Sequence, residues 1–202
     1  MTIRAVFFDL GGVLVRTEFQ APRELLAQRL GLSYEQLVNL VFEGESSRQA
    51  SVGAIGTEEH WQAVTRTLGL PPSETEAVRR DFFAGDVVDH DLIAYIRSLR
   101  PKYHTGLISN AWPDLRGYII KQGFDDAFDA MIISAEVGVM KPEARIYQIA
   151  LERVGAAPEE AIFVDDMAKN IQGAQAIGMV GIRFGERGKA LEELRQLLVN
   201  HC

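Results

Sequence analysis

The chain of 202 residues has a single cysteine, Cys202 at its last position, so it has no pair for an internal disulfide and no thiolate cluster for a metal. Positive charge is also scarce. Lysine and arginine number 21 against 28 aspartates and glutamates, a formal charge of −7 that repels polyanions, and no nucleic-acid partner is expected. No apolar run reaches the roughly 18 residues of a membrane span. The opening MTIRAVFFDLGGVL is broken at Asp9 and lacks the small-residue cleavage pattern of a signal peptide. Together these absences predict a cytoplasmic protein with no membrane partner. With only 7 prolines, 47% hydrophobic and 24% charged residues, the composition is that of a globular chain, long enough for one domain or a core with an insertion.

What is present is a series of short apolar segments separated by helical patterns. Strands are predicted at Ile3 to Phe8, His104 to Ile108, Ala130 to Ser134, Ala161 to Val164 and Met179 to Ile182. Helical spacing appears in Leu92, Ile93, Ile96 and Leu99, in Ile146, Ile149, Ala150 and Val154, and in Leu191, Leu194, Leu197 and Leu198. Pro142 suits a first helical position, and Gly178 a helix stop. The alternation predicts an α/β fold, a Rossmann-like parallel sheet with helices on both faces.

Between the first two strands the pattern turns almost wholly helical, which is more than a crossover needs. Leu25, Leu26 and Leu30, then Leu37, Leu40 and Val41, then Trp61, Val64 and Leu68 each mark a helix. Ser73 with Glu76 reads as a capping box opening a further helix that buries Val78 and Phe82. The segment is an inserted helical cap, residues 15–86, over a core of residues 1–14 and 87–202. It is expected over the carboxyl ends of the strands, where open α/β sheets bind ligands.

Four signals fall at those ends. Asp9 leaves the first strand just before Gly11 and Gly12, as a nucleophile or metal ligand, or as a turn cap. Ser109 and Asn110 follow TGLI, placed to hold an anionic oxygen or to shape a turn. Lys141 stands before a helix, where an ammonium can counter phosphoryl charge. Asp165 and Asp166 follow AIFV, and two adjacent carboxylates demand a cation or several donors. With Asp9 they form a cradle of hard oxygens suited to Mg²⁺, and Lys169 or Asn170 can orient the pair or cap the next helix.

In this order the residues resemble the haloacid dehalogenase-like hydrolases, in the branch with a helical cap inserted after the first motif, and the resemblance spans almost the whole chain. It implies that Asp9 is the nucleophile, that Ser109 and Lys141 hold the transferred group, and that Asp165 and Asp166 bind Mg²⁺ together with Asp9 and the backbone carbonyl of Gly11. The segments FDLGGVL, MKPEARIYQ and VDDMAKNIQGA look like its sugar-1-phosphate phosphatase group. Activity on a small phosphorylated molecule through an aspartyl-phosphate follows, from a monomer or homodimer.

One position departs from the pattern. Gly11 stands where phosphatases of this family usually carry a second aspartate that protonates the leaving oxygen, which points to a better leaving group, a substitute acid from the cap, or lost catalysis. A 2-haloacid dehalogenase needs no such proton and no metal, but has little use for two uncompensated carboxylates. Phosphonate hydrolysis needs a cap lysine, and residues 1–100 contain none. A binding protein that kept the fold explains Gly11 and leaves Asp9, Lys141 and the acidic pair without a purpose.

Substrate choice is expected in the cap, in the polar run Glu43 to Gly56 with Arg48 and Gln49, and beside the hinge at Arg16 and Glu18. Trp61 reads as core and His60 as surface, while Trp112 lies near the pocket mouth or packs. Asp86, Asp89 and Asp91 read as a solvated hinge and helix start rather than a calcium loop. Nothing links Arg183, Arg187 and Lys189 to the other motifs.

Overall fold

The computed structural model describes residues 2–200, so Cys202 lies outside the described residues. The first strand, β1 (Ala5–Phe8), is buried along its whole length. A strand covered on both faces reads as an unbroken apolar run, and the alternating side chains of AVFF serve both layers. Val6 and Phe8 face one core cluster, and Ala5 and Phe7 the other.

A short strand, β2 (Val15–Thr17), leads into the cap helices α1 (Ala21–Arg29), α2 (Tyr34–Phe42), α3 (Glu45–Ser51), α4 (Thr57–Thr67) and α5 (Thr75–Phe83). The chain returns through β3 (Asp86–Val88), which pairs antiparallel with β2, Thr17 opposite Asp86. The core continues with α6 (His90–Leu99), β4 (His104–Ser109), α7 (Leu115–Gln122), β5 (Ala130–Ile133), the single turn α8 (Ser134–Val137), α9 (Ala144–Val154), β6 (Ala161–Asp165), α10 (Ala168–Ala176), β7 (Val180–Arg183) and α11 (Arg187–Asn200). The sheet order is β5-β4-β1-β6-β7, all parallel, with β1 in the centre. The expected α/β architecture with a helical cap is therefore the observed one.

The cap has its own core of Leu26, Leu37, Val41, Trp61, Val64, Val78 and Phe82. Buried Arg23 joins it to the ribbon. Its guanidinium pairs with Asp86 at 3.0 Å, donates to the Phe82 carbonyl at 3.1 Å and lies 4.1 Å from the Phe82 ring centroid.

Several local expectations need correction. Ser73 is no N-cap: it lies inside a 3₁₀ turn, Pro72–Glu74, that runs directly into α5, and the capping box belongs instead to Ser33 and Gln36 at the start of α2. Pro142 is not the first residue of a helix. The chain turns at Lys141 and Pro142, Glu143 is extended, and α9 begins at Ala144. His60 is fully buried, not a surface residue, because the core residue Trp112 packs against the cap with ring centroids 4.3 Å apart. Leu25, read as part of an apolar stripe, is exposed. The ribbon itself was not expected, and neither was a helix within Glu43 to Gly56.

At the ribbon's exit Asp89 does start a helix, but it is not solvated: its side chain is 7% exposed. It accepts from the Leu92 amide at 2.9 Å and pairs with Arg16 at 3.0 Å and Arg187 at 2.7 Å. Burial raises its pKa, yet the Leu92 amide and the two arginines outweigh that and hold the carboxyl below its ordinary range. A depressed pKa contributes stability that is present above the unfolded value, about 3.9, and is lost as pH falls through the folded one. Asp89→Ala should cost about 1–2 kcal/mol at pH 7. Urea unfolding at a series of pH values should show the difference from wild type shrinking below about pH 4.

Candidate active site

Asp9 follows β1 directly, and its amide donates to the Val164 carbonyl at 2.9 Å, continuing the pairing with β6 for one more residue. Its side chain is 11% exposed. Its Oδ1 accepts from the Leu10 amide at 2.7 Å and lies 2.8 Å from Lys141 Nζ. The same ammonium lies 2.7 Å from Oδ2 of Asp165, the last residue of β6. Lys141 is 4% exposed and Asp165 fully buried, so the charges meet away from water, where pairing matters most. Asp165 is held further by the Met167 amide at 2.7 Å and by Asn170 Nδ2, at 3.1 and 3.0 Å from its two oxygens. Asn170 thus orients Asp165, and its own Oδ1 is buried without a hydrogen-bond partner among the described residues.

Asp166 approaches from the other side, over Gly12. The backbone of Gly12 has φ +75°, and a Cβ there would stand 2.3 Å from Asp166 Oδ2, so only glycine fits both the turn and the contact. Oxygens of Asp9, Asp165 and Asp166 all lie within 4.8 Å of one another. Burial, with the charge of Asp165 adding to it and Lys141 opposing, pushes Asp9 up to about 7. Burial and Asp165 raise Asp166 as well. Three hard-oxygen donors facing one ammonium leave the cluster short of positive charge, and a divalent cation such as Mg²⁺ fits both the donor set and the deficit.

Ser109 ends β4 beside β1 and is almost wholly buried. The Asn110 side chain is directed to the backbone of Lys141: Oδ1 accepts from its amide at 2.7 Å and Nδ2 donates to its carbonyl at 2.9 Å. Sequence reasoning missed Ser134, whose hydroxyl takes the Ala111 amide at 2.9 Å and donates to the Ala111 carbonyl at 3.2 Å. Its signal was available, as a polar residue at the end of a predicted strand.

The cap and hinge candidates are engaged with protein groups. Arg16 pairs with Glu18 and Asp89, Arg48 with Glu45, and Gln49 donates to Glu45. Arg187 pairs with Asp89 and Lys189 with Glu186, while Arg183 donates to the Asp166 carbonyl at 3.4 Å. Trp112 packs on the cap, stacked on Phe42, with its Nε1 donating to Ser47 at 3.2 Å.

Comparison with known proteins agrees with this geometry. The family of haloacid dehalogenase-like hydrolases matches residues 3–178. The sesquiterpene phosphatase astK of Aspergillus oryzae is 28% identical over 199 residues, covering 98% of this chain and 97% of that protein. (S)-2-haloacid dehalogenase 1 of a Pseudomonas species is 27% identical over 201 residues, covering 94% and 88%. A magnesium complex of a HAD-family enzyme from Bacteroides thetaiotaomicron superposes with a TM-score of 0.77 at 25% identity, covering 95% of this chain and 99% of that one. The family match spans most of the chain and takes in Asp9, Ser109, Lys141, Asp165, Asp166 and Asn170, and on that ground the chain belongs to the haloacid dehalogenase-like hydrolases.

Proposed function

We propose that this hydrolase is a Mg²⁺-dependent phosphatase of a small phosphomonoester, a sugar phosphate by its resemblance to the sugar-1-phosphate group, working through an aspartyl-phosphate on Asp9. The observation that carries the reading is the Lys141 ammonium shared between Asp9 and Asp165, with Asp166 in the same cluster. Among the described residues the Leu10 amide and the Lys141 ammonium both meet the Asp9 carboxylate at Oδ1, which leaves Oδ2 to attack phosphorus. The phosphorus–oxygen bond to the leaving group breaks, and its electron pair departs on that oxygen. Water then attacks the phosphorus, releasing inorganic phosphate and Asp9. The Ser109 hydroxyl and Lys141 ammonium hold phosphoryl oxygens, and Asn110 fixes the main chain that carries Lys141. When bound, Mg²⁺ supplies positive charge at the phosphoryl group, with Asp9, Asp165, Asp166 and the Gly11 carbonyl to hold it. Residues 15–86 act as the cap that selects the rest of the substrate.

Position 11 bears on the leaving group. Beyond its chain neighbours, a Cβ placed on Gly11 would meet no atom of the described residues within 4 Å, so the position is open at that point. An anomeric phosphate, whose leaving oxygen carries charge better than an alkoxide, suits a site without an acid there. The same gap suits 2-haloacid dehalogenation, the activity named for one relative. The carboxylate cluster favours the phosphatase, because it calls for a divalent cation, which phosphoryl transfer uses and metal-independent dehalogenation does not.

The decisive assay is phosphate release from a panel of phosphomonoesters that includes hexose-1-phosphates. Release should require Mg²⁺, stop with chelator, and fall at least about a thousandfold in Asp9→Asn. Halide release from 2-haloacids without phosphate release on any panel member overturns the reading. Gly12→Ala should fold but weaken Mg²⁺ binding by at least about tenfold in calorimetry, because Asp166 must move. Gly11→Asp should be accommodated and should raise turnover of simple alkyl phosphates, by up to the roughly 10²–10⁴-fold that a placed acid provides.

A further inference from the structure

The five residues that follow Ser109 do two jobs at once. On the core side, Asn110 clasps the Lys141 main chain and Ala111 is pinned by Ser134. On the cap side, Trp112 is wedged among Phe42, His60 and Trp61, with ring centroids 5.9, 4.3 and 5.7 Å away, and donates to Ser47. Two residues on, Asp114 receives two cap groups: the Thr57 hydroxyl at 2.8 Å on Oδ1 and Arg79 Nη2 at 2.5 Å on Oδ2. Thr57 opens α4 and Arg79 lies in α5, so one core carboxylate fastens two cap helices. A nearby contact adds to the seam, since Gly53, at φ +74°, packs so closely on the Ala135 carbonyl that a Cβ would stand 2.3 Å from it.

Nothing else in the proposed chemistry uses Asp114 or Arg79. Their side chains are partly exposed, 42% and 32%, where an isolated ion pair contributes little to stability. A charged residue held by two long-range partners at such a place is better explained by what it aligns. We infer that Asp114 is a positioning residue: with Arg79 and Thr57 it seats the cap on residues 110–114 and thereby holds Ser109 and Lys141 at the phosphoryl position. This rests on the phosphatase reading. Releasing the cap would free the segment at Trp112 and Asp114 and loosen the Asn110 clasp on Lys141.

Both tryptophans of the chain, Trp61 and Trp112, sit in this seam, so intrinsic fluorescence reports its state without any turnover. The experiment compares wild type, Asp114→Ala, Arg79→Ala, the double variant and Asp114→Asn, which keeps an acceptor for Thr57. Acrylamide quenching and the affinity for inorganic phosphate with Mg²⁺ are measured in each, after thermal unfolding has shown that the variant is folded. The expected result is stronger quenching and phosphate binding weakened about tenfold in either single alanine variant, with the double no worse than Asp114→Ala, and a smaller effect in Asp114→Asn. Should Asp114→Ala not fold, Arg79→Ala and Asp114→Asn carry the same comparison.

Unchanged quenching, or stronger quenching with phosphate affinity intact, overturns the inference, since the contact would then be absent in solution or would not reach the site. Wild type that binds no phosphate removes the functional reading and this one with it. Phosphate binding by wild type and variants alike removes only this one.

Discussion

The ammonium of Lys141 between Asp9 and Asp165 is the contact around which the remaining structure is arranged. A buried charge is tolerated only when its partners are in place, and removing one partner leaves the others uncompensated. Here the partners come from separate parts of the chain: Asp9 after β1, Asp165 at the end of β6, and Lys141 from the turn before α9. Each is secured by a further layer. Asn170 and the Met167 amide hold Asp165, the Leu10 amide holds Asp9, and Asn110 holds the main chain of Lys141.

The sheet explains why these groups can meet. From β1 the chain builds outward to β4 and β5 on one side, then crosses back to add β6 and β7 on the other. Connections diverge where the strand order reverses, which opens a crevice at the carboxyl ends of the central strands. Asp9 lies at that reversal, with Ser109 from one neighbouring strand and Asp165 from the other. The carboxyl cluster is thus a consequence of winding order as well as of residue type.

The parallel strands were legible because each is buried on both faces: AVFF, TGLIS and AIFVD are apolar without alternation, and their bounds in the structure lie within about two residues of the expected ones. The strand-end residues stood out for the same reason, as polar groups closing apolar runs. What escaped depends on distant parts of the chain. The ribbon of β2 and β3 is two half-buried three-residue pieces with no pattern of their own, formed only when segments around residues 16 and 87 come together. His60 follows two exposed glutamates and reads as surface until Trp112 arrives from the core. Asn110 read as an anion donor because its partner, the Lys141 backbone, lies 31 residues away. Ser73 satisfied a local pattern, yet the helix it was meant to cap is entered from a 3₁₀ turn that begins at Pro72.

The ribbon has a consequence for how such a molecule can change. Thr17 and Asp86 are paired across it, so the chain leaves the core and comes back at neighbouring positions. The covalent route between core and cap is one narrow stem, so the strand order beneath does not depend on how long the inserted segment is. The seam at residues 110–114 is the opposite case, since any other insert would have to bring its own partners for Trp112 and Asp114.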